Sequence, residues 1–128
     1  MIFEIEGGDK ISEPDEAKVK LAIRKLRSYG PQSFASLDNE DGEYVQVAGG
    51  GVTCMLERMD GVLNKQYRGY KSIKSKVFPD GTILAFGGGE LIMRSDEWFS
   101  SEEVAEVFCC FLRKSPFPDY VMWREIAA

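Results

Sequence analysis

The stretch Tyr44-Val-Gln-Val-Ala-Gly-Gly-Gly-Val-Thr-Cys-Met-Leu-Glu-Arg58 sets three consecutive glycines between two runs rich in β-branched and apolar residues. Both runs alternate, with Val45 and Val47 on one side of the first and Cys54 and Leu56 on one side of the second. Glycine reaches positive φ without a Cβ penalty, so the triplet can reverse the chain. The stretch therefore predicts the central hairpin of an antiparallel sheet.

Two other segments show the apolar period of an amphipathic helix. The first follows Ser12-Glu-Pro-Asp15, with Ser12 as the expected N-terminal cap. The second follows Ser100, where Glu103 completes a capping box. The apolar stripes are Val19, Ala22, Ile23, Leu26 and Tyr29 in the first helix, and Val104, Val107, Phe108, Phe111 and Leu112 in the second.

Shorter alternating runs predict further strands over 2–6, 33–37, 66–70, 82–86, 90–94 and 120–126. The last of these is expected to be internal or to rest against a helix. The resulting order, β-α-β(n)-α-β, predicts an α+β fold in one domain over residues 1–128. We expect two helices on a single sheet of about five to seven strands, antiparallel or mixed only at its edge.

The composition narrows the function classes. The chain has no histidine, which removes the commonest general base and the commonest transition-metal ligand. Its three cysteines show no CxxC spacing, so neither a disulfide framework nor a cysteine metal site is expected. The acids before Gly42 do not fit a calcium loop, because Leu37 and Ala48 fall at ligand positions. We therefore predict no catalytic residue, no metal and no cofactor.

The formal charge of −5 argues against a nucleic-acid binder and favours a basic partner. No apolar run reaches the roughly 18 residues that a membrane helix needs, so no membrane partner is expected. The first residues, Met-Ile-Phe-Glu-Ile-Glu, are acidic and alternating, unlike a signal peptide. These features predict a cytoplasmic protein.

The C-terminal third resembles a known family. The run Trp98-Phe-Ser-Ser-Glu-Glu-Val-Ala-Glu-Val-Phe108, then Phe111-Leu-Arg, Pro118 and Val121-Met-Trp-Arg-Glu125, is similar to the closing segment of immunity proteins from bacterial polymorphic toxin systems, in particular those paired with deaminase-type toxins. The chain departs from that pattern in its additional glycine-triplet hairpin and in the Asp96-Glu-Trp-Phe lead-in to the second helix. The resemblance therefore implies membership of this family or of a neighbouring, uncharacterised one. The resemblance implies a non-catalytic protein that binds and blocks a toxin domain.

Three hypotheses follow. The first is an immunity-type module whose acid-rich exposed loops or aromatic rim meet the partner. Its candidate contact residues are Asp38, Glu40, Asp41, Glu43, Asp96, Glu97 and Trp98. The second is a small-ligand or carboxylate-based hydrolytic domain, in which Glu57, Glu90 or Arg94 converge in a pocket. The third is a structural domain that self-associates through an apolar patch. The sequence leaves monomer and homodimer open.

Overall fold

The computed structural model of the protein describes residues 1–126. Its helices are α1 (Glu16–Lys25) and α2 (Ser101–Arg113). Its strands are β1 (Ile2–Ile5), β2 (Ile11–Ser12), β3 (Phe34–Asp38), β4 (Tyr44–Gly50), β5 (Thr53–Asp60), β6 (Lys65–Tyr70), β7 (Thr82–Phe86), β8 (Gly89–Met93) and β9 (Met122–Glu125). A seven-stranded antiparallel sheet has the order β2-β1-β3-β4-β5-β6-β9, and β7 pairs with β8 separately. The predicted α+β class is confirmed.

Both helices lie on one face of the seven-stranded sheet. Side chains of α1 and α2, such as Val19 and Phe108, share one buried cluster with Val45 and Leu56 of the sheet. Phe108 also meets Phe3 of β1 edge to face, with ring centroids 6.3 Å apart. Successive residues of a strand point to opposite faces of the sheet. The apolar residues of each alternating run, such as Val45 and Leu56, therefore face the helices. This cluster is the main core of the protein.

The central hairpin forms where the glycine triplet predicts it. Gly51 lies in the turn with φ of +67°, a value that L side chains rarely adopt. Gly50 is required for a different reason: a Cβ there would lie 1.9 Å from the carbonyl oxygen of Leu26. Leu26 caps the C-terminal end of α1. The second glycine therefore lets the hairpin pack directly against the backbone at the end of the helix.

The start of α1 differs from the prediction. Asp15, not Ser12, is the N-terminal cap, and its carboxylate accepts a hydrogen bond from the backbone N–H of Lys18. Ser12 instead belongs to β2, which pairs with β1. The helix ends at Lys25, so Tyr29 falls beyond it and is 88% exposed. Asp15 is favoured over Ser12 as the cap because its negative charge, together with that of Glu16, also complements the helix dipole.

The start of α2 confirms the predicted capping box. Ser100 Oγ accepts a hydrogen bond from the backbone N–H of Glu103, and Glu103 Oε1 accepts one from the backbone N–H of Ser100. The helix ends at Arg113, and Lys114 caps it in the left-handed conformation with φ of +60°. Within residues 1–126, neither this helix nor α1 has the length and apolar character needed to cross a membrane.

The β7–β8 hairpin forms a second layer on the face of the sheet opposite the helices. Leu84 and Met93 point inward and form a second buried cluster with Ala48, Met55 and Trp98. The predicted strands over 82–86 and 90–94 are therefore present, but they cover the main sheet instead of extending it. Their inward apolar side chains are buried only by lying on another sheet face.

The last strand, β9, pairs only with β6 and lies at the edge of the main sheet, so it is not internal. On the helix side, half-buried Trp123 packs on the main core and lies 5.1 Å from the ring of Phe117. On the other side, Arg124 forms ion pairs that are described below. Both faces of β9 are therefore occupied, which explains why neither has the polar pattern of a solvent-exposed strand.

Candidate functional site

A continuous row of polar side chains crosses the face of the sheet that the helices leave free. The strand registers place its members opposite one another, one from each of six strands. We call this set the polar row: Glu4, Ser36, Gln46, Glu57, Arg68 and Arg124. Residues at matching positions in neighbouring strands are about 5 Å apart, close enough to interact directly.

One half of the polar row is joined by hydrogen bonds and ion pairs. Gln46 Nε2 donates to Glu57 Oε1 over 2.8 Å, and Arg68 Nε donates to Glu57 Oε2 over 2.8 Å. Arg68 Nη1 then lies 3.4 Å from Glu97 Oε1, and Arg124 Nη1 lies 2.9 Å from Glu97 Oε2. Both oxygens of each glutamate therefore have cationic or amide partners.

The acids Asp96 and Glu97 are part of this network and do not form an exposed loop. Arg124 pairs with Asp96 through Nη2 and Oδ2 at 2.9 Å, and the ion pair raises the pKa of Arg124. Glu97 is 4% exposed and Trp98 7% exposed. The sequence-based expectation that Asp96 and Glu97 are exposed is wrong, since they neutralise Arg124 and Arg68. Whether these residues contact a partner stays a prediction.

Glu4 and Asp38 lie on the opposite half of the same face, whereas Glu40 and Asp41 lie in the β3–β4 turn and line a hollow with Leu112 and Lys114 at the end of α2. Among the described residues, Glu4, Asp38, Glu40 and Asp41 are exposed and make no salt bridge. Partial burial, together with the nearby charge of Glu4, raises the pKa of Asp38. Two carboxylates thus repel each other on an uncovered part of the sheet. We call Glu4, Asp38, Glu40 and Asp41 the acidic edge.

Glu43 has a structural role beside the acidic edge. Its Oε1 accepts from the side-chain amide of Asn39 at 3.0 Å, and its Oε2 accepts from the backbone N–H of Gly61 at 3.2 Å. Glu43 thereby ties the β3–β4 turn to the β5–β6 turn. Of the predicted contact residues, Asp38, Glu40 and Asp41 lie together and exposed, while Glu43 is half-buried.

Glu57 is one of the residues named in the hydrolytic hypothesis. It pairs with Arg68 of the neighbouring strand. Arg58 lies on the helix side, where its guanidinium is 5.1 to 5.5 Å from the ring centroids of Tyr67, Phe117 and Trp123. Glu90 is exposed on the β7–β8 hairpin. The hypothetical acid–base pair of Glu57 and Glu90 thus has one member already bound by two donors.

A groove lies at the C-terminal end of β6, next to the N-terminal end of α2. Its volume is about 670 Å³. We call it the Trp98 groove, and its apolar lining includes Val52, Ile73, Val77, Phe78, Trp98 and Met122. The indole N–H of Trp98 is buried and has no hydrogen-bond acceptor within residues 1–126. The sequence singled out Trp98 but gave no sign of the groove, because residues 71–76, which contribute to its lining, are mostly polar and basic.

Nucleophilic and metal chemistry have little support in the described part of the chain. Burial raises the pKa of the Cys54 thiol to about 12, so the reactive thiolate is scarce at neutral pH. Residues 1–126 contain no group of three or more acidic or cysteine side chains arranged to hold a metal ion. Glu57 and Glu97 are neutralised by Arg68 and Arg124, which suits a structural network better than proton transfer.

No protein-family model matches the chain, and no curated protein matches it either. The candidate surface is therefore defined by its geometry. Sequence reasoning missed Glu4, Gln46, Arg68 and Arg124 as members of one surface. Alternation alone places Gln46 and Glu57 on the outer sides of their own strands, but the row appears only once the strand order and registers are known.

Proposed function

We propose that the protein is a non-catalytic, immunity-type module that binds and neutralises a bacterial toxin domain with a basic surface. The observation that carries this proposal is the acidic edge. Glu4 and Asp38 are exposed on the sheet face opposite the helices, and the exposed Glu40 and Asp41 lie in the adjoining β3–β4 turn. Among residues 1–126, none of the four makes an ion pair. A face of this kind attracts a basic surface by complementary charge.

The unfavourable charge of Asp38 in the folded protein supports a binding role for this residue. Its raised pKa means that the folded chain disfavours the charged form of the side chain. A neutral residue would suit the free protein better at neutral pH. A cationic side chain of a partner, placed between Glu4 and Asp38, would relieve their repulsion. A surface residue that lowers the stability of the free protein is typical of a binding site, where function and stability conflict.

The arrangement of the other carboxylates supports binding over catalysis. Glu57 and Glu97 are largely buried and already bound by Arg68 and Arg124. Hydrolysis by a carboxylate pair requires two carboxyl groups in different environments with room for a substrate or a water between them. The network instead fixes the strands that carry the open face. Because a toxin made in the same cell must be blocked there, a cytoplasmic location is part of this proposal.

The test is direct binding to the toxin domain encoded beside this gene in its native genome. We expect the two proteins to co-purify and the toxin activity to be lost in the complex. The double variant Glu4→Gln/Asp38→Asn should lower the association rate at low salt by about tenfold, with less effect at high salt. Glu90→Gln, which removes an exposed acid on the hairpin, is the matched control. Equal rates for all three proteins, or no complex at all, would contradict the proposal.

Self-association is a second candidate function, favoured by one observation. Ile83 and Ile92 are cross-strand neighbours on the outer face of the β7–β8 hairpin, and they are 55% and 75% exposed. Paired exposed isoleucines on a two-stranded sheet are a typical interaction patch. Sedimentation of the wild type and of Ile92→Lys over a range of concentrations tests it. A wild type that stays monomeric throughout would exclude this second function.

A further inference from the structure

The Trp98 groove has the size and lining of a small-molecule site. Its volume of about 670 Å³ lies within the roughly 300 to 1,000 Å³ typical of ligand pockets. Val52, Ile73 and Val77 contribute to its lining with 73%, 75% and 74% of their surfaces exposed to water. A ligand that covers them removes apolar surface from water, which favours binding.

The charges beside the groove balance one another. Lys71 Nζ lies 2.7 Å from Glu103 Oε1, so this pair is already neutralised. Lys74 and Asp119, which also line the groove, carry opposite charges and are both exposed. Neither an anionic nor a cationic ligand gains from such a surface. The electrostatics therefore favour a neutral ligand.

One polar group of the groove lacks a partner. Trp98 is 7% exposed, and its indole N–H has no acceptor among the described residues. A buried donor without an acceptor costs free energy, which a ligand recovers by supplying one. The ring of Phe78 lies against the indole, with centroids 4.6 Å apart. Phe78 also lines the groove and belongs to the segment 71–81, which has no helix or strand.

We propose that the Trp98 groove binds a neutral, largely apolar small molecule with one hydrogen-bond acceptor, such as the carbonyl oxygen of a ketone, ester or amide. The apolar body lies against Val52, Ile73 and Val77, and the acceptor receives the N–H of Trp98. This site is separate from the acidic edge, and it does not depend on the proposed toxin binding.

The test uses the full chain and Nile red, a neutral apolar dye with a carbonyl group, followed by fluorescence. Ile73→Asp should weaken binding about tenfold, because it places a charge in the apolar lining. Val62→Asp is the matched control, since Val62 is 89% exposed and does not line the groove. Trp98→Phe, which keeps an aromatic ring but removes the donor, should weaken binding about three- to tenfold. An anilinonaphthalene sulfonate dye tests charge selectivity and should bind more weakly than Nile red.

Each result decides the proposal. Loss of binding in Ile73→Asp with wild-type binding in Val62→Asp supports it. Equal affinity in the wild type and both aspartate variants overturns it, because the dye then binds elsewhere. Equal or tighter binding of the sulfonate dye overturns the assignment of a neutral ligand. Since Ile73 is an exposed residue, its variant keeps the test valid even if Trp98→Phe does not fold.

Discussion

The guanidinium of Arg124 meets the carboxylate of Asp96 side by side, with Nη2 2.9 Å from Oδ2 and Nη1 3.3 Å from Oδ1. The same Nη1 lies 2.9 Å from Oε2 of Glu97, whose side chain is 5% exposed. Arg124→Met leaves both acids without their strongest partner, and we expect it to lower the free energy of unfolding by about 2 kcal/mol. Urea denaturation measures this loss.

Arg24→Met is the control for that experiment. Arg24 pairs with Glu102 on the surface of the helices, where both side chains are more than half exposed. Water and salt screen such a pair, so its loss should change the stability much less than the loss of Arg124. If the two variants unfold at the same urea concentration, the buried network does not stabilise the sheet.

Gly50→Ala should be among the most damaging single-methyl changes in the chain. The added Cβ would lie 1.9 Å from the carbonyl oxygen of Leu26, and backbone atoms on both sides would have to separate. We expect a loss of about 3 kcal/mol or more in the free energy of unfolding. Gly51→Ala is the matched control, because its Cβ meets open space and the only cost is positive φ, about 1 kcal/mol. If thermal unfolding shows the same loss of stability in Gly50→Ala and Gly51→Ala, close contact between the hairpin and the end of α1 does not require a glycine at position 50.

Asp38→Asn should stabilise the free protein at neutral pH. Because the folded state raises the pKa of Asp38 above 3.8, the charged form opposes folding, and stability falls as the pH rises through this range. The asparagine variant removes that penalty, so its melting temperature should exceed that of the wild type at neutral pH. The two should converge near pH 3, where Asp38 is protonated in both states. Thermal melts at the two pH values measure the difference.

A double-mutant comparison identifies the cause of this effect. If Glu4 is a source of the repulsion, the stabilisation by Asp38→Asn should shrink in a Glu4→Gln background. An unchanged stabilisation in that background would assign the whole effect to burial.

Glu103 should give the opposite pH dependence. Burial alone would raise the pKa of Glu103, but hydrogen bonds from Lys71 and from the backbone N–H of Ser100 outweigh it and hold the pKa below 4.5. The charged form therefore favours folding, and this contribution is present above pH 4.5 and is lost as the pH falls through the lowered pKa. Glu103→Gln should flatten the fall in unfolding free energy between pH 5 and pH 3. Parallel curves for the two proteins would contradict this role.

Local patterns in the sequence were enough to predict several elements. The capping box of Ser100 and Glu103 spans only three residues, and the alternation of Val45 and Val47 is fixed by the strand itself. For the same reason the glycine triplet correctly predicted the central hairpin. Features that depend on one backbone segment and its nearest neighbours are readable without knowing the rest of the fold.

Features that depend on distant segments were not predictable. The guanidinium of Arg124 meets carboxylates 27 and 28 residues earlier in the chain. Neither the spacing nor the charge pattern of 96–98 indicates that Glu97 is buried. Similarly, the β7–β8 hairpin reads as two ordinary strands, and only the apolar surface of Ala48 and Met55 explains why it lies on the sheet. The polar row required the order and registers of the six strands that contribute to it.

The pairing of β9 with β6 also has a consequence for biosynthesis. During translation, Arg68 and Glu97 are synthesised 56 and 27 residues before Arg124. Until then the nascent chain holds two acids, Asp96 and Glu97, beside a sheet that lacks its edge strand and their main counter-ion. The native sheet is therefore completed only after translation has passed this last strand.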